Sequence, residues 1–320
     1  MKTSNKIAIG VGAALTTAAV SFIGLKTLWD SAARREIPFR QKHFDEYNES
    51  LQEASPYAGA FQEARAWLEE QNPERVEIES FDGLRLVGHL ITCPNAVRTA
   101  VYLHGWRENW NTNLGLVARF LVEHHTNVLL PEQRTHGESE GKYIGFGVLE
   151  RRDLQEWADY AYMRFPELPL YLGGVSMGAT ACLMASDLPL PANVRGIIAD
   201  SGFTSPRDIL GLMFTKRSGL PEWPVMPLEN CMAKLYGGYA LDECSTVDAL
   251  KHNKHIPVLF YHGDADNVVP LAMCLENYLA CSAPKELIIV ESAGHGMSYL
   301  TDQAACEDAL LRFFAQYDRK

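Results

Sequence analysis

The feature that most constrains this chain is a rhythm. Apolar, β-rich runs at Thr99–Leu103, Asn127–Leu130, Leu170–Gly173, Val194–Ala199, Pro257–Tyr261 and Glu286–Val290 recur along it. Between most of them lie helical patterns, at Thr112–Glu123, Leu149–Arg164, Met177–Ser186, Leu271–Cys281 and Gln303–Phe314. Strands covered on both faces read as continuous apolar runs, and the intervening helices are what cover them. The rhythm therefore predicts an α/β fold with a mostly parallel sheet between two helical layers. Ahead of it, Arg75–Ser80 and Leu84–Ile91 flank Asp82-Gly83, a strong hairpin turn.

Composition narrows the function classes. Hydrophobic residues make up 47% and charged residues 22% of the 320 positions, enough to bury a large core. Lys and Arg total 29 against 40 Asp and Glu, so no basic stripe is available and nucleic-acid binding is not expected. The seven cysteines are scattered without a C-x-x-C pair, and they read as free, mostly buried thiols.

The two ends of the rhythm need separate readings. Ile7 to Leu25 carries no charge, and as a helix it would reach about 28 Å, close to the thickness of a bilayer core. The expectation is a membrane anchor over residues 7–25, within an N-terminal segment 1–28. A cleavable signal peptide, with a small-residue site at Ala19-Val20-Ser21, or a peripheral helix are the alternatives. Lys26, Arg34, Arg35, Arg40 and Lys42 lean the main domain towards the cytoplasmic side. Residues 29–73 read as a linker and a helix that stops at Asn72-Pro73, and residues 74–320 as the catalytic-type domain. Within it, about 55 residues separate two successive strands, a length that is usually functional. Ser205-Pro206-Arg207-Asp208 looks like a helix start there, so a small helical cap is expected at about 203–250.

One pentapeptide carries chemistry. Gly174-Val175-Ser176-Met177-Gly178 is a G-x-S-x-G element between a strand and a helix, the setting that presents a serine hydroxyl on a strained turn. A hydroxyl is a weak nucleophile at neutral pH and needs a base. His295, in a loop after the last strand, supplies one; Asp266, after the preceding strand, would orient its ring. Ser, Asp, His is the chain order this architecture uses. Asp264 and Asp200 compete as acids, with Asp264 expected to fix its own turn and Asp200 to support the cap junction. His104 and His136 compete as bases, and a structural hydrogen bond is the expected role of each. The backbone N–H groups of Met177, at a helix start, and Trp106, in the loop after Thr99–Leu103, are the expected oxyanion donors. His124-His125 and His252/His255 lack metal-site spacing, and there is neither a dinucleotide fingerprint nor a P-loop, so no metal or cofactor is expected.

These residues resemble the α/β-hydrolase superfamily. Residues 104–106 (HGW), 134–141 (RTHGESEG), 174–178 (GVSMG), 262–270 (HGDADNVVP) and 293–295 (AGH) match its elements in order, across about residues 74–318. In detail the chain is similar to bacterial serine aminopeptidase-like hydrolases and esterases with an N-terminal apolar segment and a small cap. The resemblance implies an eight-stranded, mostly parallel sheet with the second strand antiparallel, helices on both faces, and no cofactor. It departs at Thr135, where relatives commonly carry glycine.

The activity expected is a serine hydrolase cleaving carboxylic esters of small to medium acyl chains through an acyl-enzyme. Met213, Phe214, Leu220, Trp223, Val225 and Met226 make the cap apolar, and Phe214, Trp223 and Met226 are the candidates for the substrate pocket; gluing the cap to the core explains them equally. A peptidase, amidase or thioesterase would use the same triad. A membrane-tethered binding protein on the same fold would not need all three residues.

Overall fold

The computed structural model describes residues 22–35, 57–112, 114–219 and 221–318. Eight strands form its centre: β1 (Glu74–Glu79), β2 (Arg85–Ile91), β3 (Arg98–Leu103), β4 (Thr126–Pro131), β5 (Leu170–Val175), β6 (Val194–Asp200), β7 (Val258–Gly263) and β8 (Lys285–Val290). They pair in the order β1-β2-β4-β3-β5-β6-β7-β8. β2 runs antiparallel to both β1 and β4, and every other pairing is parallel. The hairpin joining β1 to β2 turns on Gly83 at φ 83°, with Ser80 Oγ accepting the Leu84 N–H at 2.8 Å. β3, β4 and β7 are buried at every position, which is why each carries a continuous apolar run, Ala100–Leu103, Val128–Pro131 and Val258–Tyr261.

The helices, in chain order, are α1 (22–33), α2 (Ala58–Glu70), α3 (Gly115–Glu123), α4 (Glu150–Arg164), α5 (Met177–Ala185), α6 (Pro206–Ser218), α7 (Glu222–Met232), α8 (Thr246–His252), α9 (Leu271–Ala280), α10 (Ser298–Thr301) and α11 (Gln303–Tyr317). Trp157 of α4, Leu183 of α5, Leu250 of α8 and Cys274 of α9 pack on one face of the sheet. Leu68 of α2, Phe120 of α3 and Phe313 and Phe314 of α11 pack on the other. This is the architecture of the α/β hydrolases, with the reversed second strand that the sequence implies. Of the seven cysteines none is disulfide-bonded, and Cys182, Cys274, Cys281 and Cys306 are buried.

Between β6 and β7 the chain builds α6, α7, a π-helical turn at Ala233–Gly237, and α8. α6 starts as its sequence dictates: the Ser205 side chain caps it by accepting the Asp208 N–H at 3.1 Å, and Pro206 fills the first turn, where no N–H is needed. α7 is irregular, with Trp223 outside helical geometry and Pro227 inside the helix. Together with α1, these elements close over a third apolar cluster containing Trp29, Phe203, Phe214, Met226 and Tyr239.

The expected membrane anchor is corrected here, and with it membrane association, membrane localisation and the narrower resemblance to hydrolases carrying such a segment. No helix among the described residues is long and apolar enough to cross a membrane. Residues 7–21 of the expected segment, including Ala19-Val20-Ser21, lie outside the described residues. Its last four residues belong to α1, whose following turns pack as a protein helix. Lys26, Asp30 and Arg34 form an i,i+4 ion-pair ladder along one side. On the other, Trp29 is fully buried against Tyr143 and Tyr239. The end of α1 is tied to the body through Ile144 N–H donating to Ala33 C=O at 2.7 Å and Arg35 N–H to Lys142 C=O at 2.9 Å. Hydropathy over residues 7–25 counts apolar residues without seeing the aromatic partners that await the next turn.

Candidate active site

Ser176 sits between the end of β5 and the start of α5 with φ 55° and ψ −115°, a backbone conformation that costs a non-glycine residue about 1–3 kcal/mol. The two glycines of the pentapeptide make the turn possible. A Cβ at Gly178 would stand 2.3 Å from the Leu103 carbonyl oxygen, and one at Gly174 would stand 2.5 Å from the Gly178 carbonyl carbon. Only bare backbone lets α5 start this close to the end of β3. The Ser176 N–H is fixed by donating to the Asp200 carbonyl at 2.8 Å.

His295 and Asp266 meet this serine from neighbouring strand ends. The Ser176 hydroxyl lies 2.8 Å from His295 Nε2, and His295 Nδ1 lies 2.7 Å from Asp266 Oδ2. Asp266 is itself locked in place, its Oδ1 accepting the N–H groups of Val268 at 2.8 Å and Val269 at 2.9 Å. His262 lends a further contact, with Nε2 3.3 Å from Asp266 Oδ2 and 2.9 Å from the Val269 carbonyl. Burial alone would lift the Asp266 carboxyl, but His262 and His295 outweigh it and hold it well below the usual carboxylate range. The arrangement can do one thing chemically: draw a proton from Ser176 onto an imidazole whose positive charge a carboxylate then stabilises.

The competing residues sit elsewhere in the network. Asp264 accepts the Ser292 N–H at 2.6 Å and so braces the loop that precedes His295. Asp200 does not reach into the helical insertion; its carboxylate takes the hydroxyls of Ser201 at 2.9 Å and Ser298 at 2.8 Å, which ties β6 to α10. His104 accepts the Gln133 N–H at 3.1 Å, and burial pushes its pKa down to about 4. His136 accepts the Arg107 N–H at 3.1 Å, fastening the Trp106 loop from below. Thr135 adopts φ 70°, so this chain keeps the left-handed turn there with a β-branched residue.

The proposed oxyanion donors stand on either side of the β3–α5 contact. Met177 opens α5, where first-turn N–H groups have no intrahelical acceptor. Trp106 follows His104 and Gly105 on the loop leaving β3, and its indole Nε1–H donates to the Ala32 carbonyl at 2.9 Å. Next to them lies a further carboxyl. Glu108 Oε2 accepts the Gly105 N–H at 2.9 Å, and burial raises its pKa. Glutamate in a loop reads as surface, and nothing in the sequence marks it as inward-facing.

The expected pocket residues separate. Phe214 and Met226 are buried in the apolar cluster, whereas Trp223 is 76% exposed and points away from it; Leu220 lies outside the described residues. A small cavity of about 30 Å³ lies beside Val175 and Gly296, the neighbours of Ser176 and His295. Tyr102, Val117, Tyr261 and Leu310 are among its walls. Among the described residues, no three His, Cys, Asp or Glu side chains converge as metal ligands would.

No family model matches this chain. Among solved structures it is similar to the Pyrococcus furiosus esterase Pf2001, with a TM-score of 0.62 and 23% identity over 78% of this chain and 95% of that one. This likeness concerns the fold and replaces the narrower aminopeptidase-like resemblance. Among sequences, the chain is 29% identical to the uncharacterized protein YqkD of Bacillus subtilis over 223 residues, 69% of this chain and 72% of the relative. It is 30% identical to the uncharacterized protein YfhR of Escherichia coli over 230 residues, 69% of this chain and 73% of the relative. At 30% identity over 73% of that relative, the chain belongs to the family of YfhR.

Proposed function

We propose that this protein is a serine hydrolase that cleaves carboxylic esters. Ser176 attacks the ester carbonyl while His295 takes its proton; His295 then returns that proton to the departing alcohol, leaving an acyl-enzyme. Water, deprotonated by His295, attacks the acyl carbon and frees the acid and Ser176. Asp266 holds the ring and stabilises its positive charge without taking the proton. The N–H groups of Met177 and Trp106 receive the oxyanion. The observation that carries this reading is the hydrogen-bonded relay of 2.8 Å and 2.7 Å from Ser176 through His295 to Asp266, built on a serine with left-handed φ.

A fluorophosphonate probe tests the reading. Labelling of the wild type that vanishes in Ser176→Ala is the expected result; a folded wild type that stays unlabelled overturns it. A panel of p-nitrophenyl esters of graded chain length, set beside aminoacyl-nitroanilides, then separates esterase from peptidase. Esters should turn over faster, because expelling an amine demands more of the acid.

A further inference from the structure

One ionisable side chain outside the triad is buried alone. Glu229 of α7 has no solvent exposure, and neither of its carboxylate oxygens has a hydrogen-bond partner among the described residues. Polar groups of the same insertion are engaged elsewhere: Asn230, next in the chain, pairs with Asp242 and with the Leu241 N–H, and the Tyr239 hydroxyl donates to the Ile144 carbonyl. An ionised carboxylate in such a place costs several kcal/mol unless something positive joins it. Burial alone lifts its pKa to about 8. A leucine or glutamine would pack there more cheaply, so the acid calls for a partner that the described residues do not supply.

Its position says what that partner could be. Val225, Met226, Glu229 and Met232 form the buried face of α7, at helical spacing. The three apolar members belong to the cluster that also contains Met177 and Val269, with Trp106 packed against it. Those residues adjoin Ser176, follow Asp266 and carry a proposed oxyanion donor, so the buried face of α7, with Glu229 on it, packs into the same apolar cluster as residues beside the proposed triad. α7 is also the irregular element of the insertion: Trp223 leaves helical geometry, Pro227 removes a backbone donor, and a π-helical turn follows at once. Such a segment can yield to admit a ligand.

We propose that Glu229 is the counter-charge for a cationic group of the substrate, so that the esters taken by this site include ones bearing an ammonium. This rests on the ester-hydrolase reading above. An ammonium brings both what the carboxylate lacks, a positive charge and hydrogen-bond donors. The formal charge of −11 would draw such a substrate in.

The test compares ester pairs that differ in one charge: ethyl 6-aminohexanoate with ethyl hexanoate, and 6-(dimethylamino)hexyl acetate with hexyl acetate. Wild type should favour the cationic member of one pair by about tenfold or more in kcat/KM, some 1.4 kcal/mol. Glu229→Gln should bring that ratio close to one, whatever the absolute rates. A ratio near one in wild type for both pairs overturns the proposal, as does a preference that survives in Glu229→Gln. Should wild type cleave none of the four esters, it is the hydrolase reading that fails, and binding decides the role of Glu229. Hexylammonium chloride should then raise the Tm of wild type, but not of Glu229→Gln, beyond the effect of hexanol; equal shifts in the two proteins overturn it.

Discussion

The backbone of Ser176 hangs from Asp200: the serine N–H donates to the Asp200 carbonyl at 2.8 Å, while the Asp200 carboxylate takes the Ser298 hydroxyl, also at 2.8 Å. Ser201, held by the same carboxylate, accepts the Gly296 N–H at 3.3 Å. One aspartate thereby braces the turn bearing the proposed nucleophile and the loop bearing the proposed base. Burial raises its pKa, and the two serine hydroxyls oppose that rise.

Removing this brace should misplace His295 without deleting any reacting group. Asp200→Ala is expected to lower kcat by about 10- to 100-fold, the scale of an ångström-sized misplacement, with a smaller change in KM. Asp200→Asn, which keeps an acceptor for the serines, should recover part of the loss. Steady-state kinetics and the rate of fluorophosphonate labelling check both variants. Equal activity of Asp200→Ala and wild type would show that the loop holds itself.

Asp266→Asn should keep the fold and lower kcat by about 10⁴-fold, because the amide favours the wrong imidazole tautomer. His295→Ala should cost at least as much, and combining the two should add little, since the residues act as one unit. Single and double variants assayed on one ester give the answer; additive losses would mean that the two residues work independently.

Two buried groups make stability fall on the alkaline side. His262 is raised to about 10: burial works against its charge, but Asp266 outweighs it. Its protonated form is favoured by the fold, so its contribution is complete below about pH 6.5, its unfolded value, and is lost as pH climbs through 10. Glu229 acts in the same direction. Its pKa of about 8 in the fold exceeds the unfolded value, so it costs nothing in acid and progressively more as pH rises towards 8. At pH 7 that cost is about 3 kcal/mol, so Glu229→Gln should raise the Tm at pH 7 and leave it little changed at pH 4. Calorimetry at the two pH values checks this, and a gain of equal size at both would show that ionisation is not the cause.

Gly178→Ala should damage stability and activity together. The added methyl would meet the Leu103 carbonyl oxygen at 2.3 Å; that oxygen belongs to the backbone and a Cβ has no rotamer, so neither can step aside. A loss of about 2–4 kcal/mol is expected, on the scale of overpacking and backbone strain. Denaturant melts measure it. A loss below 1 kcal/mol would mean that the turn can open without cost.

Much of the sheet is legible in the sequence because its strands carry the signature of two-sided burial. Asp82-Gly83 gives away the hairpin, and with it the reversed second strand. The residue sets around 176, 266 and 295 can be located because each follows a recognisable strand, and parallel strands deliver their ends to one edge. What stays hidden depends on distant partners. The exchange of β3 and β4 in the sheet order follows from pairings that no local pattern encodes. Trp29 anchors α1 through Tyr143 and Tyr239, more than a hundred positions away. Glu229 looks like a solvent-facing charge until neighbours enclose it, and Glu108 until it folds back on the Gly105 N–H, whereas Trp223 looks like core and stands in water.

The indole of Trp106 spends its only donor on the carbonyl of Ala32. A segment ahead of the sheet is thus clasped to the loop offered for the oxyanion, and Arg107, the next residue, grips the carbonyls of Ser31 and Arg34 in the same clasp. Trimming the chain back to its first strand would therefore do more than shorten it. The loop would lose its outer handhold, and any shift of α1 would be felt at the proposed oxyanion donor.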